Sequence, residues 1–335
     1  MNANEIQGRR KFNRITFLIF LGIVAVLFAI MFFFNGKLFM LTTGMKAEVI
    51  GTVDSNEILK ADAYILLCDA KEQYESVFTD AVWKKKFDGK SFEEYVRDQA
   101  RVKLLRLASL ELFAKDKGIA ISREDKNNIA KAANEFFGML SEADKNEFGI
   151  TAEQVEKLYT RMVIAKEVFA EMTDNADFEV SADEARVISI QVIVLDDKSK
   201  ADEAMVRVAN KESFLTVAKT YSITDECSLV VKRGEFEKAF EDEAFNLKSG
   251  EVSKATQIDD KYYIIKCVSD NEKTMSEANR NTIIEKKKLE LFNKTIDEYE
   301  SKVFVEFKDK EFNAIRINDL PDFNESFESI FNKYF

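Results

Sequence analysis

The sequence predicts an α+β chain: a helical domain made from N- and C-terminal halves, a small α/β domain inserted between them, and a transmembrane helix in front. Three observations carry this expectation. Residues 57–173 and 276–302 are long amphipathic stretches with helix start and stop signals. Residues 185–270 alternate β-branched runs with shorter amphipathic segments. Residues 15–34 hold no charge. Composition agrees, because 46% hydrophobic and 33% charged residues with 11 Gly and one Pro describe a folded, helix-rich chain with few tight turns. Its 335 residues allow roughly two or three domains.

The N-terminal run from Ile15 to Phe34, ITFLIFLGIVAVLFAIMFFF, has the 20 residues that a helix needs to cross a hydrocarbon layer about 30 Å thick. Arg9, Arg10, Lys11 and Arg14 crowd its first end, whereas only Lys37 and Lys46 follow closely. The positive-inside bias then puts residues 1–14 in the cytoplasm and the bulk of the chain outside, a single-pass protein of the cell membrane. A cleaved signal peptide is the rival reading; the run exceeds the usual 7 to 15 apolar residues, and NGKLFMLTTGMKA offers no clear small-x-small cleavage site. Residues 35–48 read as a linker.

Beyond the linker, residues 49–180 read as the first helical half. Val49–Val53 is an extended segment, followed by a turn at Asp54-Ser55-Asn56 and then directly by a helix. Ser91-Phe92-Glu93-Glu94 is a capping box, in which the Ser accepts from an orphan backbone N–H and the Glu reaches back. It opens a helix whose Tyr95, Val102, Leu105 and Leu112 form an apolar stripe ending at Gly118, a C-terminal cap. Ser122–Asp125 and Thr151–Gln154 repeat the start signal.

At Ser181 the pattern changes, and residues 181–270 form the inserted domain. Val187–Val194 has strand character, Asp202–Ala209 and Ser213–Tyr221 are helical, Leu229–Val231 is a strand, Glu237–Phe245 a helix and Tyr262–Val268 a strand. The order is β-α-α-β-α-β. Residues 271–335 supply one long helix from Ser276, a short strand at Val303–Phe307 and an aromatic tail around Pro321. So long a helix needs a partner surface, and the economical one is the N-terminal helices.

Residue usage excludes much chemistry. The chain has no histidine, so it has no Ser-His-Asp triad, Cys-His pair, HExxH zinc site or imidazole shuttle. Cys68, Cys227 and Cys267 lie far apart without CxxC spacing; Cys68, inside AYILLC, reads as a small buried hydrophobe and all three as structural thiols, and neither a metal nor a cofactor is expected. Residues 51–335 carry 43 basic and 58 acidic side chains, which disfavours nucleic acid as a partner.

Several strings resemble those of the membrane-attached or exported parvulin-type foldases and chaperones of the PrsA and SurA type. EVIGTVDSNEILKADAYIL (48–66) and LELFAKDKGIAISREDKNNIA (110–130) are similar to their helical chaperone domain, although Glu57 replaces the usual Gly after Asn. The inserted domain is the sharper match: KADEAMVRVANKESFLTVAKTYS (200–222) and GEFEKAFEDEAFNLKSGEVSKATQIDDKYYIIKCVS (234–269) resemble the parvulin domain, with Gly234, Phe240, Phe245, Leu247, Gly250, Glu251 and Ser253 in place.

The resemblance implies a proline-binding pocket and locates its departures. Where the family has histidines in its first and last strands, this chain has Gln191 and Tyr263; Phe236 takes a Met position and Phe240 keeps the Phe. The family's Asp or Cys position falls on Asp225 or Cys227, and its glycine-rich stretch is shortened to CSLVVKRG. A plainer reading stays open, in which Gln191 and Tyr263 are ordinary strand residues and the two Phe belong to the core. The implied function is a membrane-anchored extracytoplasmic folding factor that binds unfolded or nascent exported polypeptides, with an isomerase domain of weak or lost activity. An active peptidyl-prolyl isomerase and a non-catalytic envelope scaffold are the alternatives, and a homodimer is left open.

Overall fold

The computed structural model describes residues 48–87, 89–321, 323 and 325–335. The expected cytoplasmic tail, membrane segment and nearly all of the linker lie outside the described residues. Among the described residues no helix is long and apolar enough to cross a membrane. The chain divides into two compact units, one made of residues up to Glu171 together with Ile296–Phe335, the other Met172–Thr295.

In the first unit, β1 (Val49–Val53) turns through Asp54, at φ 47°, into β2 (Asn56–Leu59), which pairs back on it antiparallel. The sequence reading ran a helix straight on from the turn; instead NEIL extends, buries Ile58 and Leu59, and satisfies its backbone in a ladder. Helix α1 (Lys60–Phe78) follows, its start closed by the Asp62 carboxylate accepting from Leu59 N at 2.9 Å. A two-stranded ribbon, β3 (Lys86–Phe87) and β4 (Lys90–Ser91), leads into α2 (Phe92–Lys117). The capping box closes as its spacing predicts: Glu94 N donates to Ser91 Oγ at 3.2 Å and Ser91 N to Glu94 Oε2 at 2.8 Å. Gly118 ends the helix in the left-handed region at φ 71°.

Helices α3 (Arg123–Met139), α4 (Glu142–Phe148) and α5 (Ala152–Thr173) complete the N-terminal part of the unit, with Tyr64, Leu67, Leu104, Phe136 and Tyr159 in its core. Among these apolar groups lies Arg161, 1% exposed, its guanidinium 2.8 Å from Glu111 and 3.3 Å from Asp62 while donating to the Glu57 carbonyl.

The second unit holds α6 (Ala182–Ala185), β5 (Val187–Leu195), α7 (Lys198–Ala209), α8 (Phe214–Tyr221), β6 (Ser228–Lys232), α9 (Lys238–Asn246), β7 (Thr256–Ile258), β8 (Lys261–Ser269) and most of α10 (Lys273–Glu300). Its sheet is antiparallel, in the order β6-β5-β8-β7. The expected element order holds, with β7 added: TQI is too short to register as a strand by pattern, and it forms by pairing on β8. Strand β5 is covered on both faces. Ile188, Ile190, Val192 and Val194 pack with Phe240, Phe245 and Ile265, whereas Ile193 and Leu195 pack with Ala201, Phe214, Val217 and Ile264.

The long helix does not return wholly to the N-terminal helices. Residues Lys273–Thr295 belong to the second unit, where Asn279 Nδ2 donates to the Ala185 carbonyl at 3.0 Å and Lys287 Nζ to that of Glu179 at 2.8 Å. Only its last turn joins the first unit, through Arg106 with Asp297 at 2.6 Å and Tyr299 with Asp116 at 2.7 Å. Strand β9 (Val305–Phe307) then pairs on β1, completing the order β2-β1-β9. It runs so close that a Cβ on Gly51 would stand 2.7 Å from the Phe307 ring, which is why glycine sits there. After α11 (Asp309–Asn313), the aromatic tail enters the core through α12 (Phe327–Tyr334), where Phe327 stacks on Tyr159 at 3.9 Å.

Candidate functional site

A cavity of about 350 Å³ opens on the face of the second unit's sheet that carries α9. Strand β5 gives it Val192 and Val194, β6 gives Leu229, β7 gives Ile258 and β8 gives Tyr263. Phe240 of α9 closes its floor at 5% exposure, edge-on to Tyr263 with centroids 5.5 Å apart. Phe236, 42% exposed, leans on Phe240 at 4.9 Å and offers an aromatic wall to solvent. Thr224, Glu226, Glu237 and Asp259 complete the lining.

The loop bearing Phe236 is held by an acid, not by apolar packing. Glu241 is buried, and its Oε1 accepts from Gly234 N at 2.7 Å and from Phe236 N at 3.0 Å. Gly234 sits at φ 85°, a conformation that glycine adopts without strain. At the opposite wall Thr256 Oγ1 donates to Glu243 Oε1 at 3.1 Å, tying β7 to α9.

Of the residues expected from the sequence, the cavity brings together Phe236, Phe240 and Tyr263. It does not gather Gln191, Asp225 or Cys227. Gln191 pairs with Lys266 on β8 and with Ser228 on β6, and the alternation of β5 gives it the parity of Ile193 and Leu195, away from the cavity. The pocket-facing residues of that strand are Val192 and Val194. Cys227 packs at the margin of the cluster around Phe214, its thiol directed to the Thr224 carbonyl at 3.5 Å. Asp225 is exposed, and its two neighbours one step back and one step on, Thr224 and Glu226, face the cavity instead. Sequence reading reached the ITDEC segment but not the residues within it that turn inward. Glu237 and Asp259 carried no signal, since each is one acid among many in an acidic chain.

This arrangement suits holding an apolar group. Three aromatic rings and four aliphatic side chains surround a space open to solvent, and the Thr224 and Tyr263 hydroxyls are the neutral polar groups on its wall. Among the described residues no cluster of His, Cys, Asp or Glu is arranged to hold a metal ion.

Residues 150–279 match the family described as the PPIC-type PPIASE domain. The chain is 26% identical over 231 residues to the foldase protein PrsA of Caldanaerobacter subterraneus subsp. tengcongensis, covering 66% of this chain and 74% of that protein. Among solved structures, the parvuline NmPin of Nitrosopumilus maritimus is 32% identical across 95% of its own length and 24% of this chain, with a TM-score of 0.23. PrsA from Bacillus subtilis is 21% identical over 65% of this chain and 89% of that one, with a TM-score of 0.26. The matched segment and the PrsA relative agree with the resemblance of the sequence: residues 150–279 carry a PPIC-type domain, here without histidine, in a chain that is similar to PrsA foldases.

Proposed function

We propose that the chain is a membrane-anchored extracytoplasmic folding factor. It binds segments of unfolded exported polypeptides, and its PPIC-type domain uses the cavity to hold an apolar or prolyl side chain, with isomerase activity weak or lost. The observation that carries this reading is the aromatic cavity of Phe236, Phe240 and Tyr263, kept in a PPIC-type domain that has no histidine. The anchor and the compartment rest on the uncharged run at 15–34 and the basic residues before it.

Prolyl isomerisation makes and breaks no covalent bond. Its barrier of about 18–20 kcal/mol falls when a site grips the ring and favours the twisted amide over the planar one. Phe236 and Phe240 can grip a ring here. The groups able to donate to the amide are the hydroxyls of Thr224 and Tyr263, and every ~1.4 kcal/mol of twist stabilisation missing costs tenfold in rate. An active isomerase is the second reading, favoured by the Tyr263 hydroxyl, which has no hydrogen-bond partner among the described residues.

NMR exchange spectroscopy on Xaa-Pro peptides with the full chain separates these readings. Peptide resonances that shift on binding, with no rise in the cis/trans exchange rate, are the expected result. A rise abolished by Phe236→Ala with Tyr263→Phe establishes the isomerase instead. Neither binding nor a rise overturns the proposal and favours a scaffold for one dedicated partner.

A further inference from the structure

The wall of the cavity is apolar, but its charge is one-sided. Glu226 lies in the segment between α8 and β6, Glu237 caps the start of α9, and Asp259 stands in the turn between β7 and β8. No lysine or arginine lines the cavity. None of the three carboxylates forms a side-chain hydrogen bond or ion pair with the described residues. Other acids of the same region are engaged: Glu241 holds the Phe236 loop, Glu243 accepts from Thr256, Glu235 accepts from Lys232 N at 2.9 Å, and Asp242 pairs with Lys238 at 2.5 Å. The three cavity carboxylates come from separate elements, so local helix or turn chemistry does not explain their meeting.

We infer that the cavity selects client segments in which lysine or arginine flanks the apolar or prolyl residue it holds. The inference rests on the proposed client-binding role of the cavity and names the substrate class of that same site. An aromatic-lined space supplies affinity for the apolar group, and unpartnered carboxylates around it attract cationic side chains in the adjoining positions and repel acidic ones. The negative charge of the whole chain beyond residue 50 adds attraction at longer range, so the selection weakens as salt shortens the Debye length.

The test uses the full chain and two fluorescent peptides of equal length around a central Phe-Pro, one flanked on both sides by Lys and the other by Glu. The Lys-flanked peptide is expected to bind about tenfold more tightly at low ionic strength, the gain that a few exposed ion pairs supply together. The difference is expected to shrink in high salt and to vanish in the triple variant Glu226→Gln, Glu237→Gln, Asp259→Asn, which still binds both peptides. These changes spare the fold: Glu237 makes no side-chain capping bond, and Asn suits the positive φ of 53° at position 259. Equal binding of both peptides to the native chain overturns the inference and leaves the cavity reading standing. A preference that survives in the triple variant overturns the assignment to these carboxylates. Failure of both peptides to bind overturns the inference together with the proposed role of the cavity.

Discussion

Glu241 and Phe236 are joined by a hydrogen bond from the Phe236 backbone N–H to the Glu241 carboxylate at 3.0 Å, and the same oxygen accepts from Gly234 N at 2.7 Å. A buried acid on α9 therefore sets the loop that forms the cavity's exposed wall. Glu241→Leu leaves two N–H groups without their acceptor and is expected to cost about 1–3 kcal/mol in urea unfolding. Glu241→Gln keeps an acceptor oxygen and is expected to retain most peptide affinity, whereas the Leu variant loses it.

The two phenylalanines of the cavity are expected to respond differently. Phe240 is 5% exposed and belongs to the core, so Phe240→Ala is expected to cost about 3–5 kcal/mol of stability. Phe236, largely open to solvent, contributes its ring to the wall; Phe236→Ala is expected to change stability by less than about 1 kcal/mol. Peptide affinity nevertheless falls by about tenfold in Phe236→Ala. Thermal unfolding and fluorescence titration of the same preparations check both statements.

Arg161 is the pivot of a buried ionic cluster, held between Glu111 at 2.8 Å and Asp62 at 3.3 Å. Removing it alone strands the buried Asp62 carboxylate and takes the cation from the half-buried Glu111. Arg161→Met is expected to destabilise the first unit by about 3–5 kcal/mol, measured by urea titration. Replacing Arg161, Asp62 and Glu111 together with apolar residues of similar volume is expected to recover most of that loss.

Burial raises the Asp69 carboxyl above the ordinary carboxylate range, with the hydrogen bond from Glu328 N and the charge of Lys103 opposing it only in part. The folded chain then holds this proton more tightly than the unfolded one. The contribution of Asp69 to stability is therefore fully present below its unfolded pKa of about 3.9, and is lost as pH rises through the raised folded value. Asp69→Asn keeps the acceptor for Glu328 N and cannot ionise. Relative to the native chain, the variant is expected to gain stability as pH is raised above about 4 and to level off once pH passes the raised folded value, read from urea midpoints at each pH.

Helix boundaries were legible wherever the determinant is local. Ser91 with Glu94, Ser122 with Asp125 and Gly118 act within one turn of backbone, so their residue types and spacing suffice. Strands β2 and β7 were not legible, because four- and three-residue segments take extended form only when a partner strand meets their backbone groups. Within the cavity, the aromatic members were readable from their place in a parvulin-like string. Which face of β5 carries the cavity was not: alternation puts Gln191 and Val192 on opposite faces, but VISIQVIVL packs apolar residues on both, so the pattern does not tell which of the two looks into the cavity.

By itself, then, the sequence determined the chemistry that is closed to this protein, through the absence of histidine, and the order of helices and long strands, through capping and periodicity. It also determined the parvulin-like character of the inserted segment. Tertiary structure alone decided that residues 273–295 of the long helix join the second unit, that the aromatic tail fills the core of the first, and that Thr224, Glu226, Glu237 and Asp259 meet around Phe236 and Phe240. The physical reason is distance along the chain. Caps, turns and periodicity act over a few residues, whereas a cavity drawn from four sheet strands, a helix and three connecting segments exists only once the sheet has closed.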